Sequence, residues 1–212
     1  MDFIYLASQS PRRRQLLEQI GVRLQLLLPA DAAAAEALEQ VRGRESPGRY
    51  VRRVTALKLD EALKRLTQQG LPAAPVLCAD TTVALGAGIL GKPADAVDAA
   101  RMLRRLAGRT HRVITAVVVQ AADGVRHEAV SDSRVRFARL TEADITAYVS
   151  SGEWQGKAGA YGIQGRAAVF IEHISGSYSG IMGLPLYETA MLLRRSGLRR
   201  SSKGDCTCSK TF

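Results

Sequence analysis

An α/β fold built on a mixed sheet follows from three features of the chain. Short apolar runs of strand length alternate with amphipathic stretches of helical period. Hairpin signals stand at Gly86-Ala87-Gly88 and Ala122-Asp123-Gly124, so part of the sheet is antiparallel. The first apolar run passes through a tight polar loop into a helix, Ser8-Gln9-Ser10-Pro11-Arg12-Arg13-Arg14, the order of a strand–helix unit.

The elements read in order as follows. The first strand covers about 3–7 and the first helix about 11–20, stopped at Gly21. Ser10 suits the N-cap and Pro11 the first helical position, where its missing N–H is not needed. A second strand covers 22–28, and the alanine-rich, then polar stretch 31–44 is a loop or short helix. Ser46-Pro47 opens a long helix to about 67, and 76–79 is a buried strand. The hairpin spans 83–90. Asp95 caps a helix whose apolar face is Ala99, Met102, Leu103 and Leu106. A strong strand at 111–120 turns back at 122–124 and returns to about 138. Thr141 and Asp144 form a capping-box-like start for a helix to 151. A strand over 167–174 and a helix over 186–195 complete the series. Residues 1–198 are one expected domain. Residues 199–212 are an expected disordered basic and polar tail.

The chain has 212 residues and a formal net charge of +10. Such a balance favours a polyanionic partner: nucleic acid, membrane surface or nucleotide. Part of the excess is a solvated C-terminal cluster around Arg199, Arg200 and Lys203. No apolar run approaches the ~20 residues that span a bilayer. The arginines follow the first apolar run instead of preceding it, so it is not read as a secretory signal. A cytoplasmic protein is expected. Three cysteines do not make a disulfide scaffold, and Cys78 reads as a buried thiol. The three histidines have no metal-ligand spacing.

Gly86-Ala87-Gly88-Ile89-Leu90-Gly91 matches G-x-G-x-x-G, but Lys92-Pro93 follows where a helix should open, so the hairpin reading stands. Gly176-Ser177-Tyr178-Ser179-Gly180 has tyrosine where a nucleophile elbow needs its serine. Asp80 directly follows a buried strand and reads equally as a catalytic carboxylate or a turn cap. Lys58 falls at the edge of its helix's apolar arc, either snorkelling or aimed into a cleft. The first helix start offers free N–H groups, two hydroxyls and arginines, a combination that suits phosphate. Glycines between 156 and 165 allow close backbone approach, while Tyr161, Ile163 and Gln164 give a half-apolar wall fit for a base.

These segments resemble those of the Maf proteins, nucleoside triphosphate pyrophosphatases once described as septum-formation inhibitors. The matching runs are Ser8 to Arg13, the Lys58 helix, Ala79-Asp80-Thr81, Gly91-Lys92-Pro93, Gly108 to His111, Gly152-Glu153, Lys157 to Gly165, Ser177-Tyr178 and Gly183 to Leu186. The resemblance implies a curved mixed sheet flanked by helices, two lobes around a deep cleft, and a homodimer. It implies hydrolysis of a nucleoside triphosphate to the monophosphate and pyrophosphate with Mg²⁺ or Mn²⁺. By position, Asp80 is the implied proton acceptor or metal holder, with Lys58 and Lys92 beside it. Ser8, Ser10 and Arg12 are implied phosphate ligands. Arg13, Thr81 and Gln164 fall at positions tied to substrate choice, in the version of the subgroup acting on dTTP and UTP. The family carries acidic residues just after the second strand. Here that stretch is Asp31-Ala32-Ala33-Ala34-Ala35-Glu36, which leaves Asp31 as a metal candidate and implies a raised demand for divalent ion. The alternative reading is a non-catalytic basic protein that binds nucleic acid or regulates septum formation. Against it, no aromatic-rich strand of the RNA-recognition kind is present.

Overall fold

The computed structural model describes residues 2–29 and 37–198. Asp31, the alanine run beside it and the tail from 199 lie outside the described residues.

Strand β1 (Ile4–Leu6) leads into helix α1 (Pro11–Gln19), and β2 (Leu24–Leu26) follows Gly21, whose φ of +74° ends the helix. Helix α2 (Pro47–Gln68) buries Val51, Val54, Leu59 and Ala62 along one face, and the Ser46 hydroxyl caps it by accepting from Arg49 N–H at 3.4 Å. Strand β3 (Val76–Leu85) turns through Gly86 into β4 (Gly88–Leu90). Helix α3 (Ala96–Leu106) buries the four predicted apolar residues, and the Asp95 carboxylate accepts from Asp98 N–H at 2.8 Å. Strands β5 (Thr110–Gln120) and β6 (Arg126–Phe137) form the long hairpin. Helix α4 (Glu142–Ser150) starts on the predicted capping box. Strand β7 (Ile171–Ser175), helix α5 (Tyr178–Met182) and helix α6 (Leu186–Arg195) close the chain.

The seven strands make one mixed sheet in the order β2-β1-β3-β5-β6-β7, with β4 also on β3. β1 is parallel to β2 and β3, and the other pairs are antiparallel. β5 covers one edge of β3 from Val76 to Ala84. On the opposite edge, β1 pairs with Val76 and Leu77, while β4 pairs with Val83 to Leu85. The stretch from Cys78 to Thr82 has no described strand on that edge. The loops that leave β1 and β4 both emerge at this gap.

The apolar core is divided accordingly. One part packs Leu103, Leu106, Phe137, Tyr148 and Phe170 around the β4 end of β3. Others gather around the β1 end, with Leu17, Leu77 and Leu193 under α1 and α6, and Tyr5, Leu59 and Cys78 under α2. Cys78 is fully buried, and burial pushes its thiol up to about 12, as expected of an inert core thiol. No helix among the described residues is long and apolar enough to cross a membrane.

Three local expectations need correction. The strand expected over 167–174 begins only at Ile171, because residues Arg166–Phe170 form a 3₁₀ turn. That turn is set by the Glu153 carboxylate, which accepts from Arg166 N–H at 2.9 Å, and by Ala168 N–H donating to the Gly165 carbonyl at 3.0 Å. Asp80 does not end a strand. β3 continues through it, since Asp80, Thr81 and Thr82 pair with Ala116, Thr115 and Ile114 of β5. Ser10 occupies the N-cap of α1, but its side chain makes no cap bond.

Candidate active site

A cleft of about 700 Å³ opens at the gap in the β3 edge, within the ~300–1,000 Å³ usual for small-molecule sites. Ser8, Ser10, Arg12 and Arg13 line it from the β1–α1 loop and the start of α1. Lys58 reaches it from α2, Asp80 and Thr81 from β3, Lys92 from the loop after β4, and Gln164 from the glycine-rich segment. All the predicted site residues that are described therefore meet in one place.

Charges alternate along the floor. Lys58 Nζ donates to Asp80 Oδ1 at 2.6 Å and to Glu39 Oε1 at 2.7 Å. Lys92 Nζ donates to the same Glu39 Oε1 at 3.2 Å and stands 3.0 Å from Oε2. Asp80 is only 7% exposed, so its contact with Lys58 is a partly desolvated, charge-assisted bond. Burial pushes the Glu39 carboxyl up, but the charges and hydrogen bonds of Lys58 and Lys92 outweigh it and hold Glu39 below the ordinary range. Glu39 is fixed from α2 as well. The Tyr50 hydroxyl donates to the Glu39 carbonyl at 2.9 Å, and Arg53 Nη2 donates to the Gln40 carbonyl at 2.9 Å.

The facing wall is cationic. Arg13 donates from Nε to the Gly183 carbonyl at 2.8 Å, from Nη1 to Ser8 Oγ at 3.1 Å and from Nη2 to Thr81 Oγ1 at 3.3 Å. Arg12 Nε donates to the Met182 carbonyl at 3.3 Å. Ser8 Oγ also accepts from Ser10 N–H at 3.2 Å, and the Ser10 hydroxyl makes no cap bond to the helix. Lys157 Nζ donates to the Glu153 carbonyl. Burial, and then the charge of Arg12, holds Lys157 below the usual lysine range. An anion placed between Arg12 and Lys157 would relieve that repulsion.

The glycine-rich segment forms the remaining side. Its predicted half-apolar character is visible: Tyr161 and Ile163 are buried, while Gln164 stands exposed at the rim. Tyr161 is anchored by the His111 ring, with Nε2 and the hydroxyl 2.7 Å apart, and by edge contact with Phe137.

Glu39 is the site residue that sequence reasoning missed. The family pattern of acids after the second strand was the available signal, but it pointed to 31–36. Glu39 reaches the cleft only through contacts 19 and 53 residues away. With Asp80 it forms a pair of hard oxygen donors converging on one cationic point. This donor set suits Mg²⁺ or Mn²⁺, since such ions are held by one or two carboxylates, with phosphate oxygens and water completing the shell. No group of three or more His, Cys, Asp or Glu side chains that could hold a metal ion occurs among the described residues.

Residues 3–196 match the family described as Maf-like protein. The chain is 66% identical over 198 residues to the dTTP/UTP pyrophosphatase of Polaromonas sp. (strain JS666 / ATCC BAA-500), covering 93% of this chain and 98% of that one. It is 63% identical over 195 residues to the dTTP/UTP pyrophosphatase of Ralstonia nicotianae (strain ATCC BAA-1114 / GMI1000), covering 92% and 94%. Among solved structures it is similar to a HAM1 protein from Coxiella burnetii, with a TM-score of 0.48 and 15% identity, over 92% of this chain and 100% of that one. That last likeness is too distant to add to the argument. Its match along nearly its full length and its identity to these relatives are decisive: the chain belongs to the Maf-like protein family.

Proposed function

We propose that this protein is a nucleoside triphosphate pyrophosphatase that hydrolyses dTTP and UTP to the monophosphate and pyrophosphate, a step of nucleotide-pool housekeeping. One observation carries the reading: a carboxylate–lysine chain, Asp80–Lys58–Glu39–Lys92, inside a cleft whose facing wall holds Arg12 and Arg13. The names of the relatives supply the substrate class.

The residues divide the chemistry as follows. Lys58, Lys92 and Arg12 neutralise the phosphate oxygens. The N-terminus of α1 and the hydroxyls of Ser8 and Ser10 add donors. The oxygen of an attacking water bonds to the α-phosphorus while the α–β bridging P–O bond breaks. Pyrophosphate leaves with that electron pair. Asp80 takes the water's proton at a carboxylate oxygen or holds the metal; either role uses the same oxygens. A divalent cation, Mg²⁺ or Mn²⁺, bound by Asp80 and Glu39 would supply further neutralisation of phosphate charge. The Gln164 amide, able to donate and accept, suits a pyrimidine edge at the rim. A homodimer and a cytoplasmic location belong to the same reading and rest on the family likeness.

The nucleic-acid alternative is not favoured. Arg12, Arg13, Lys58 and Lys92 converge on a cleft of small-molecule size, and exposed arginines such as Arg52, Arg104 and Arg136 are each paired with a glutamate.

Pyrophosphate release from dTTP, UTP, ATP and GTP with Mg²⁺ tests the proposal. dTTP and UTP should lead in kcat/KM. Purine triphosphates on top would overturn the substrate assignment, and no release from any would overturn the enzyme class.

A further inference from the structure

Residues 38–45 belong to no described helix or strand, yet Glu39 in this stretch aims its carboxylate at both lysines of the cleft. A segment without a ladder of its own takes its position from its neighbours. Two residues of α2, one turn apart on the same face, supply it. Tyr50 is buried, and its hydroxyl donates to the Glu39 carbonyl at 2.9 Å. Arg53 donates from Nη2 to the Gln40 carbonyl at 2.9 Å and from Nε to Glu45 Oε2 at 3.0 Å. Its Nη2 also donates to Glu45 Oε1, which accepts from Arg42 N–H at 2.9 Å.

One guanidinium thus ties residue 40 to residue 45 and closes the segment against α2. Its central carbon stands 5.6 Å from the centre of the Tyr50 ring, so the two anchors brace each other. The hydrogen bonds from Arg53 hold the Glu45 carboxyl down at about 2, so it keeps its charge, and its grip, at neutral pH. Arg53 and Tyr50 bond to the main chain at and beside Glu39, while Lys58 and Lys92 hold the carboxylate itself.

We infer that Arg53, with Tyr50, is a positioning residue for the metal: by fixing the main chain at 39–40 it holds the Glu39 carboxylate on the same lysine as Asp80. The inference rests on the metal reading of Asp80 and Glu39 given above. Charge alone predicts the opposite sign. Arg53→Met removes a cation and leaves Glu45 negative, which would tighten cation binding. A loosened Glu39 weakens it.

The test is Mn²⁺ binding without nucleotide, read by electron paramagnetic resonance. It compares the unsubstituted protein with Glu39→Gln, Arg53→Met, Arg53→Lys, Tyr50→Phe and the double variant Arg53→Met/Glu39→Gln. Arg53→Met should raise the Mn²⁺ Kd by about tenfold, the scale of losing a partner that orients a metal ligand. Arg53→Lys should raise it too, because one ammonium does not span the Gln40 carbonyl and the Glu45 carboxylate as a fork does. Once Glu39→Gln has removed the ligand, Arg53→Met should weaken binding no further. An Arg53→Met loss that simply adds to that of Glu39→Gln marks a role in folding alone and overturns the inference. So does unchanged or tighter binding by a folded Arg53→Met protein. Should the Arg53 variants fail to fold, Tyr50→Phe keeps the ring and removes one bond. It should raise the Kd by about threefold, and an unchanged value overturns the inference. Equal Mn²⁺ binding by Glu39→Gln and the unsubstituted protein overturns the metal reading itself, before any Arg53 variant is compared.

Discussion

Glu39 answers the question raised by the alanine run. It already stands between Lys58 and Lys92, so the segment after β2 does contribute a carboxylate to the cleft. Glu39→Gln should raise the Mg²⁺ concentration for half-maximal activity by about tenfold or more, since a hard cation loses an anionic ligand. Ala33→Glu should leave that concentration unchanged. A metal titration of both variants decides the point, and a lowered requirement in Ala33→Glu would instead place the alanine run in the site. His111 makes stability depend on pH. It is 2% exposed, and burial brings its pKa from 6.5 down to about 4 against a weaker upward pull from the Arg109 backbone. Below pH 6.5 the unfolded chain takes up a proton that the folded protein refuses. The stability tied to neutral His111 is thus complete above pH 6.5 and is lost as pH falls from 6.5 to 4, up to about 3 kcal/mol. Urea melts at pH 7.5 and pH 4.5 should show a smaller drop in His111→Gln than in the unsubstituted protein. An equal drop would remove His111 as a cause.

At the scale of elements, local signals predicted most of the fold. The caps at Ser46, Asp95 and Thr141 are bonded as their spacing suggests, and α6 covers the predicted span. The failures are non-local. Ala167 to Phe170 has strand-like composition, but a carboxylate from Glu153 turns its start. β3 runs through Asp80 because β5 pairs with it, which no local pattern around Asp80 reveals. Helix α5 is five residues long, too short for a periodic signal. The cleft arises from strand pairing at both ends of β3, so its residues could be nominated from sequence but their convergence could not. The glycine-rich segment makes close backbone contacts whose cost can be measured. Gly159 has φ +68°, and a Cβ there would meet Val83 Cγ1 at 2.9 Å. Gly156 has φ +65° with open space around it. Gly159→Ala should therefore cost about 2–4 kcal/mol, from left-handed backbone plus overpacking, and Gly156→Ala only about 1–2 kcal/mol. Equal urea midpoints for the two variants would show that the segment yields at Val83.

For the whole molecule, the division of the core around the two ends of β3 and the opening between them produce one deep, charged cleft. Some exposed cations are paired, as in Arg112–Asp132 and Arg126–Asp60, and a net charge of +10 does not by itself define a partner. The proposed chemistry rests on where Asp80 sits: on a central strand at an edge that no described strand covers, held by Lys58, in the cleft that Arg12 and Arg13 also line. Under the proposed function, the α–β phosphoanhydride is the bond that is cut. The most direct measurement is ³¹P NMR of UTP during turnover with Mg²⁺, for the unsubstituted protein beside Asp80→Asn. UMP and inorganic pyrophosphate should appear together from the start, and Asp80→Asn should slow them by roughly 10²–10⁴-fold while remaining folded. UDP and inorganic phosphate as the first products, or full turnover by folded Asp80→Asn, would contradict it.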